Sequence, residues 1–175
     1  VHGFRPYFYT PVSDLDLAAD AEEPLAEADV VDSRLDHDHL TGIETYGDRA
    51  ADGADIGDRE DREVVVYESI RGESLLKVFG QTPRDVGELR DRFDHYEADI
   101  LFPNRLLIDK DITSGVRVPA RELDDGSYKV HHEELVPVEA SAAPRVNTFD
   151  IEVDDRRGFP EDGEEPIICL TSHDS

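Results

Sequence analysis

Apolar and polar positions divide the chain into patterned stretches separated by polar turns. Residues 4–9, Phe-Arg-Pro-Tyr-Phe-Tyr, predict an aromatic edge strand that feeds a core, with Pro6 at or before its first residue. Val64–Ile70 and Ser74–Gly80 are β-branched and apolar runs around an Arg71-Gly72-Glu73 turn, which predicts an antiparallel hairpin. Thr82-Pro83-Arg84-Asp85 then supplies an N-cap, a proline at the first helical position and a capping-box acid. Val86, Leu89, Phe93 and Tyr96 recur at helical spacing, so the helix is expected to reach about His95, with Arg90 nearly on the face of Val86. Pro103 breaks the next run, and 104–110 predicts a short helix that buries Leu106, Leu107 and Ile108. Val116–Pro119, Tyr128–His132 and Leu135–Val138 are expected as short strands, with His131 and His132 a strand pair facing opposite ways.

The chain leads up to Val146–Val153. As a strand it places Asp150 and Glu152 on one face and Phe149, Ile151 and Val153 on the other, toward a core. Carboxylates two residues apart on a strand, roughly 6.6 Å at Cα, suit a shared pair of divalent ions. The motif alone carries little, because 43 of 175 residues are acidic and acid-x-acid triplets also occur at Asp14–Asp16 and Asp36–Asp38. Ile167–Thr171 reads as a second strand, antiparallel to the first.

Residues 13–62 differ in composition. Asp, Glu, Ala and Gly predominate there, which predicts a short helix, a weak strand and an exposed acidic loop as the least ordered region. The His37-Asp38-His39 cluster within it reads as solvated, with no third metal ligand indicated.

Charge sharpens the picture. The net charge is −25, and lysine occurs only at 77, 110 and 129. Such a surface repels itself in dilute buffer and is tolerable where salt screens it, as in a halophile. No apolar run approaches a membrane span, and the single cysteine, Cys169, excludes an internal disulfide. The lone cysteine fits a reducing cytoplasm. A chain that starts at Val1 and stops at Ser175 just after a strand-like run reads as a segment of something longer.

Four stretches resemble archaeal family B DNA polymerases, in that family's order. They are Phe4–Tyr9, Lys77–Val86, Tyr96–Lys110 and Phe149-Asp150-Ile151-Glu152. The last is similar to the family's first exonuclease motif. The resemblance implies an α+β chain. Residues 1–140 would be a template-handling N-terminal domain with an acidic, poorly ordered insertion at 13–62. Residues 141–175 would begin a ribonuclease H-like 3′–5′ exonuclease domain. It further implies that Asp150 and Glu152 are catalytic ligands of Mg2+ or Mn2+, in a two-metal site completed by residues outside this chain. Pro6, Val86, Arg90 and Phe102 match the pocket with which archaeal members capture template uracil. DNA template, the primer 3′ end, dNTPs and a sliding clamp are the implied partners of the parent, in the cytoplasm at the nucleoid and with no membrane. Arg5, Arg90, Arg105 and Arg117 are candidate phosphate contacts. With so few cations, binding is expected to rest on base capture and metal bridging more than on a basic field. Two other readings are a non-catalytic acidic interaction module and a stand-alone ribonuclease H-like nuclease.

Overall fold

The computed structural model describes residues 1–119, 121–142, 146–154 and 166–174. The chain divides into two compact units, Val1–Glu139 and Ala140–Ser175.

The first unit is built on an antiparallel sheet. Its elements are β1 (Tyr7–Pro11), β2 (Leu40–Ile43), α1 (Tyr46–Ala51), β3 (Val66–Glu68), β4 (Ser74–Gly80), α2 (Pro83–Leu89) and α3 (Phe102–Asp109). Four short strands follow: β5 (Gly115–Arg117), β6 (Arg121–Glu122), β7 (Tyr128–Lys129) and β8 (Val136–Val138). β4 is central, with β1 along one side and β2 and β3 sharing the other. The predicted hairpin is present, with Val66 opposite Leu76. The aromatic strand lies at the sheet edge, with Pro6 just before it.

The β1–β4 register sorts the side chains. Phe8 lies opposite Val78 and Thr10 opposite Leu76; all four are buried on one face, in the main core. Tyr7 lies opposite Phe79 and Tyr9 opposite Lys77, on the other face. One short strand therefore feeds a dry core with one side and an aromatic, cationic surface with the other.

Residues 13–62 carry the expected strand and short helix, but they pack more closely than the exposed acidic loop expected there. They supply β2 and α1, and Leu15, Leu25, Leu40 and Ile43 join the main core. The apolar residues are sparse, but they fall on the inner side of the turns. The acids there are used as caps and anchors. Asp32, 3% exposed, accepts hydrogen bonds from the backbone N–H groups of Asp16 and Arg34 and from the Arg34 guanidinium.

The Arg34 side chain first, and the two backbone N–H groups with it, hold the Asp32 carboxyl at about 2, against an ordinary 3.8 and against the effect of burial. A carboxyl lowered by folding stabilises fully above its unfolded pKa and loses that contribution as pH falls through the folded value. The melting temperature is therefore expected to fall between about pH 4 and pH 2. Asp32→Asn should flatten that limb in melts followed by circular dichroism; an unchanged slope would contradict the assignment.

Other expectations are corrected locally. α2 begins as predicted, with Thr82 and Asp85 capping each other, but it ends at Leu89 and passes through a 3-10 turn at Arg90–Arg92. The chain must turn back so that Tyr96 can exchange backbone hydrogen bonds with Tyr9, which a longer helix would prevent. Pro103 lies in the first turn of α3 rather than ahead of it, where a missing N–H costs nothing. α3 buries Arg105, while Leu107 and Ile108 face outward. His131 and His132 are not a strand pair; His131 caps a 3-10 turn at His132–Glu134.

The second unit contains β9 (Asn147–Val153) and β10 (Ile167–Asp174), paired antiparallel as predicted. β9 is continuous, so Asp150 and Glu152 share a face, opposite Thr171 and Cys169. Phe149, Ile151 and Leu170 share the other. That face is not sunk in a core: Phe149 is 67% exposed and Ile151 41%. Two strands by themselves have nothing to lay an apolar face against.

Candidate functional site

The four residues expected to form a base pocket come together. Pro6, Val86, Arg90 and Phe102 all line one cavity of about 250 Å3, with Tyr7 and Ile100 among the remaining walls. Each arrives by a separate route. Pro6 is fixed by the start of β1. Val86 is brought over the end of β4 by the Thr82 cap. It lies so close to Gly80 that a Cβ there would stand 2.8 Å from the Val86 Cγ2. Arg90 closes α2, and its Nη1 donates to the Ala98 carbonyl at 2.8 Å. Its Nε is buried without a hydrogen bond, 3.7 Å from the Asp91 carboxylate. Phe102 opens α3 and stacks on Phe4 at 5.4 Å between centroids. Apolar walls with two guanidiniums among the lining residues, Arg90 and Arg105, suit a flat ring whose edge carries acceptor oxygens.

Arg105, a candidate for phosphate contact, is 4% exposed and committed elsewhere. Its guanidinium donates to the Glu97 carboxylate at 2.6 Å and to the Glu97 carbonyl at 2.7 Å. Glu97 takes a left-handed φ of 57° to present both groups. The same guanidinium lies 4.8 Å from the Tyr7 ring. Arg5 is paired with Asp48 at 2.9 Å and stacks on Phe79. Neither side chain stands ready for phosphate without giving up a partner.

A second cavity, of about 350 Å3, lies outside the expected pocket. It sits on the aromatic face of the sheet and is lined by Tyr7, Tyr9, Lys77, Glu44, Asp109 and Lys110, among others. The Lys77 ammonium sits near three tyrosine rings, at 4.6 Å from Tyr7, 4.9 Å from Tyr67 and 5.7 Å from Tyr9. Burial pulls its pKa down, and Glu44, 3.3 Å away, opposes that shift. Tyr67 donates to Glu44 and accepts from Arg49. One sequence signal points here: two of only three lysines, Lys77 and Lys110, line this cavity.

In the second unit, Asp150 and Glu152 stand exposed on one strand face. Carboxylate oxygens are the ligand type that Mg2+ and Mn2+ prefer. Two of them fall short of a full set. Among the described residues no group of three or more His, Cys, Asp or Glu is placed to hold a metal ion. No helix among those residues is long and apolar enough to cross a membrane.

Comparison with known proteins gives a consistent result. Residues 93–173 match the family model for the DNA polymerase family B exonuclease domain, a match that starts in the first unit and runs through the second. A DNA polymerase of Archaeoglobus fulgidus is 33% identical over 103 residues, covering 54% of this chain and 13% of that protein. The DNA polymerase delta catalytic subunit of Arabidopsis thaliana is 29% identical over 208 residues, covering 98% of this chain and 18% of that protein. The structure of the family B DNA polymerase from the hyperthermophilic archaeon Pyrobaculum calidifontis superposes with a TM-score of 0.55 at 29% identity, over 98% of this chain and 21% of that one. The chain thus spans about a fifth or less of the length of these relatives. The mixed α and β architecture is that of a family B DNA polymerase region.

Proposed function

We propose that this chain is the template-handling and early exonuclease segment of a family B DNA polymerase that proofreads. Val1–Glu139 would handle template, with the cavity at Pro6, Val86, Arg90 and Phe102 capturing uracil ahead of synthesis. Ala140–Ser175 would begin the 3′–5′ exonuclease. Asp150 and Glu152 would be two of its Mg2+ or Mn2+ ligands. A bound ion would supply charge stabilisation and an activated water at the scissile phosphate. In this chain the two carboxylates do no more than present oxygens on one face of β9. The parent would extend primers from dNTPs, alongside a sliding clamp, in the cytoplasm of a halophile.

What carries the template reading is convergence. Four residues spread from position 6 to position 102 line a single small cavity, with the guanidinium of Arg90 beside that of Arg105, which is held by Glu97. A flipped pyrimidine needs apolar walls for its faces and polar groups for its edge. Uracil differs from thymine by one methyl group, and a close-fitting pocket rejects that methyl by about 1–3 kcal/mol, roughly tenfold or more.

The test uses the 175-residue chain and fluorescent single strands that carry one deoxyuridine or one thymidine. The uracil strand should bind about tenfold more tightly. Arg90→Ala should weaken uracil binding and leave the thymine strand nearly unchanged. Equal binding of both strands by the unaltered chain would end the reading. Since Arg5 and Arg105 are already engaged, the preference should also persist in molar salt.

A further inference from the structure

Tyr7 is among the lining residues of both cavities described above. Its backbone is fixed by pairing with Phe79. Its ring is fixed by three groups. The hydroxyl donates to Asp109 Oδ2 at 2.6 Å. The Arg105 guanidinium lies over the ring at 4.8 Å, and the Lys77 ammonium approaches at 4.6 Å. Burial, and the bond to Asp109, push the phenol pKa up, so the hydroxyl stays a donor across the range in which proteins work.

Arg105 and Asp109 belong to the same helix as Phe102. Phe102 is the first residue of α3 and Asp109 the last, about 10 Å apart at 1.5 Å rise per residue. Of the apolar residues in α3, Leu106 is half-buried, while Leu107 and Ile108 point outward. Its polar and aromatic attachments are Arg105 to Glu97 and the Tyr7 ring, Asp109 to the Tyr7 hydroxyl, and Phe102 on Phe4, with Lys110 just past its end bonded to Glu133. The Tyr7–Asp109 bond therefore pins the far end of the helix whose near end presents Phe102. It also fixes the ring of Tyr7, a residue that lines the same cavity from the sheet side.

We propose that Asp109 is a positioning residue for base selection. By holding Tyr7, it sets the spacing between the sheet wall and the Phe102 wall of the smaller cavity. The cavity then admits uracil and leaves no room for the thymine methyl. This inference rests on the uracil-capture reading and adds a residue outside the pocket to it. Asp109 lines the larger cavity and not the smaller one.

The experiment measures the ratio of affinities for uracil and thymine strands on the full 175-residue chain. Three variants are compared: Asp109→Ala, Asp109→Asn and Tyr7→Phe. Asp109→Asn keeps an acceptor oxygen and should hold the ratio within about twofold of the unaltered chain. Asp109→Ala and Tyr7→Phe each remove the bond and should cut the ratio by about tenfold, mainly by letting thymine bind better. A purely structural role would weaken both strands together and leave the ratio unmoved; that result overturns the proposal. So does an asparagine variant that behaves as the alanine one. Should Asp109→Ala fail to fold, Tyr7→Phe, which keeps the buried ring, decides alone. If the unaltered chain shows no preference, uracil capture itself fails and this inference goes with it. If the preference is present and both bond-removing variants keep it, only the role of Asp109 fails.

Discussion

Asp150→Ala, placed in an intact polymerase carrying this segment, is expected to reduce excision of a mismatched 3′ end by roughly a thousandfold. A carboxylate that fixes a divalent ion at the scissile phosphate supports charge developing in the transition state. Removing one group of that kind costs about 4 kcal/mol, or close to a thousandfold in rate. Asp150 and Glu152 lie on one exposed face of β9, so the loss should not spread into the fold. Primer extension on a matched template should stay within about twofold, because on the proposed reading these two acids serve excision alone. Two measurements check this. Excision of a mismatched primer end in Mg2+ reports the chemistry, and Mn2+ titration followed by electron paramagnetic resonance reports the ion. Excision that survives within tenfold would sink the assignment of Asp150. So would Mn2+ affinity unchanged by both Asp150→Ala and Glu152→Ala.

The face shared by Asp150 and Glu152 was legible in the sequence, because alternation along a strand follows from backbone geometry alone. What covers the opposite face was not. Phe149 and Ile151 were expected in a core, yet within a two-stranded unit they remain exposed. Period says which side chains go together; it says nothing of what they meet. The Thr82–Asp85 box was readable for a similar reason, since capping is local. The end of that helix was not. It is set by the pairing of Tyr96 with Tyr9, far earlier in the chain.

The site divides along the same line. No spacing rule connects Pro6 to Phe102; only the resemblance to archaeal polymerases gathered the four residues, and the fold then puts them around one cavity. Arg105 shows where composition misleads. In so acidic a chain a free arginine looks valuable at the surface, but Arg105 is buried, held by Glu97 and stacked on Tyr7. The acidic stretch 13–62 misleads in the opposite sense. Its average polarity suggests a poorly ordered stretch with only a short helix and a weak strand, while four well-placed residues, Leu15, Leu25, Leu40 and Ile43, are enough to bind it to the core.

That core makes the second large prediction. Phe8→Ala is expected to cost about 3–5 kcal/mol of stability in the first unit. Phe8 is fully buried, lies 5.4 Å from Phe93 between ring centroids, and packs in one cluster with Leu76 and Val78, which are also fully buried. Truncation leaves a ring-sized void flanked by hydrogen-bonded strands on one side and a capped helix on the other, neither of which can move in to fill it. Against a usual net stability of about 5–15 kcal/mol, such a loss removes a large share. Urea titration followed by tyrosine fluorescence and circular dichroism measures it, since the chain has no tryptophan. The titration belongs in molar salt, where self-repulsion at net charge −25 is screened in both variant and parent. Phe8→Leu, which restores much of the volume, should recover more than half of the loss. Exposed Leu107 supplies the control: Leu107→Ala, on the outer side of α3, should cost well under about 1 kcal/mol. Equal losses at Phe8 and Leu107 would mean that the sheet core is not what holds the cavity walls in place.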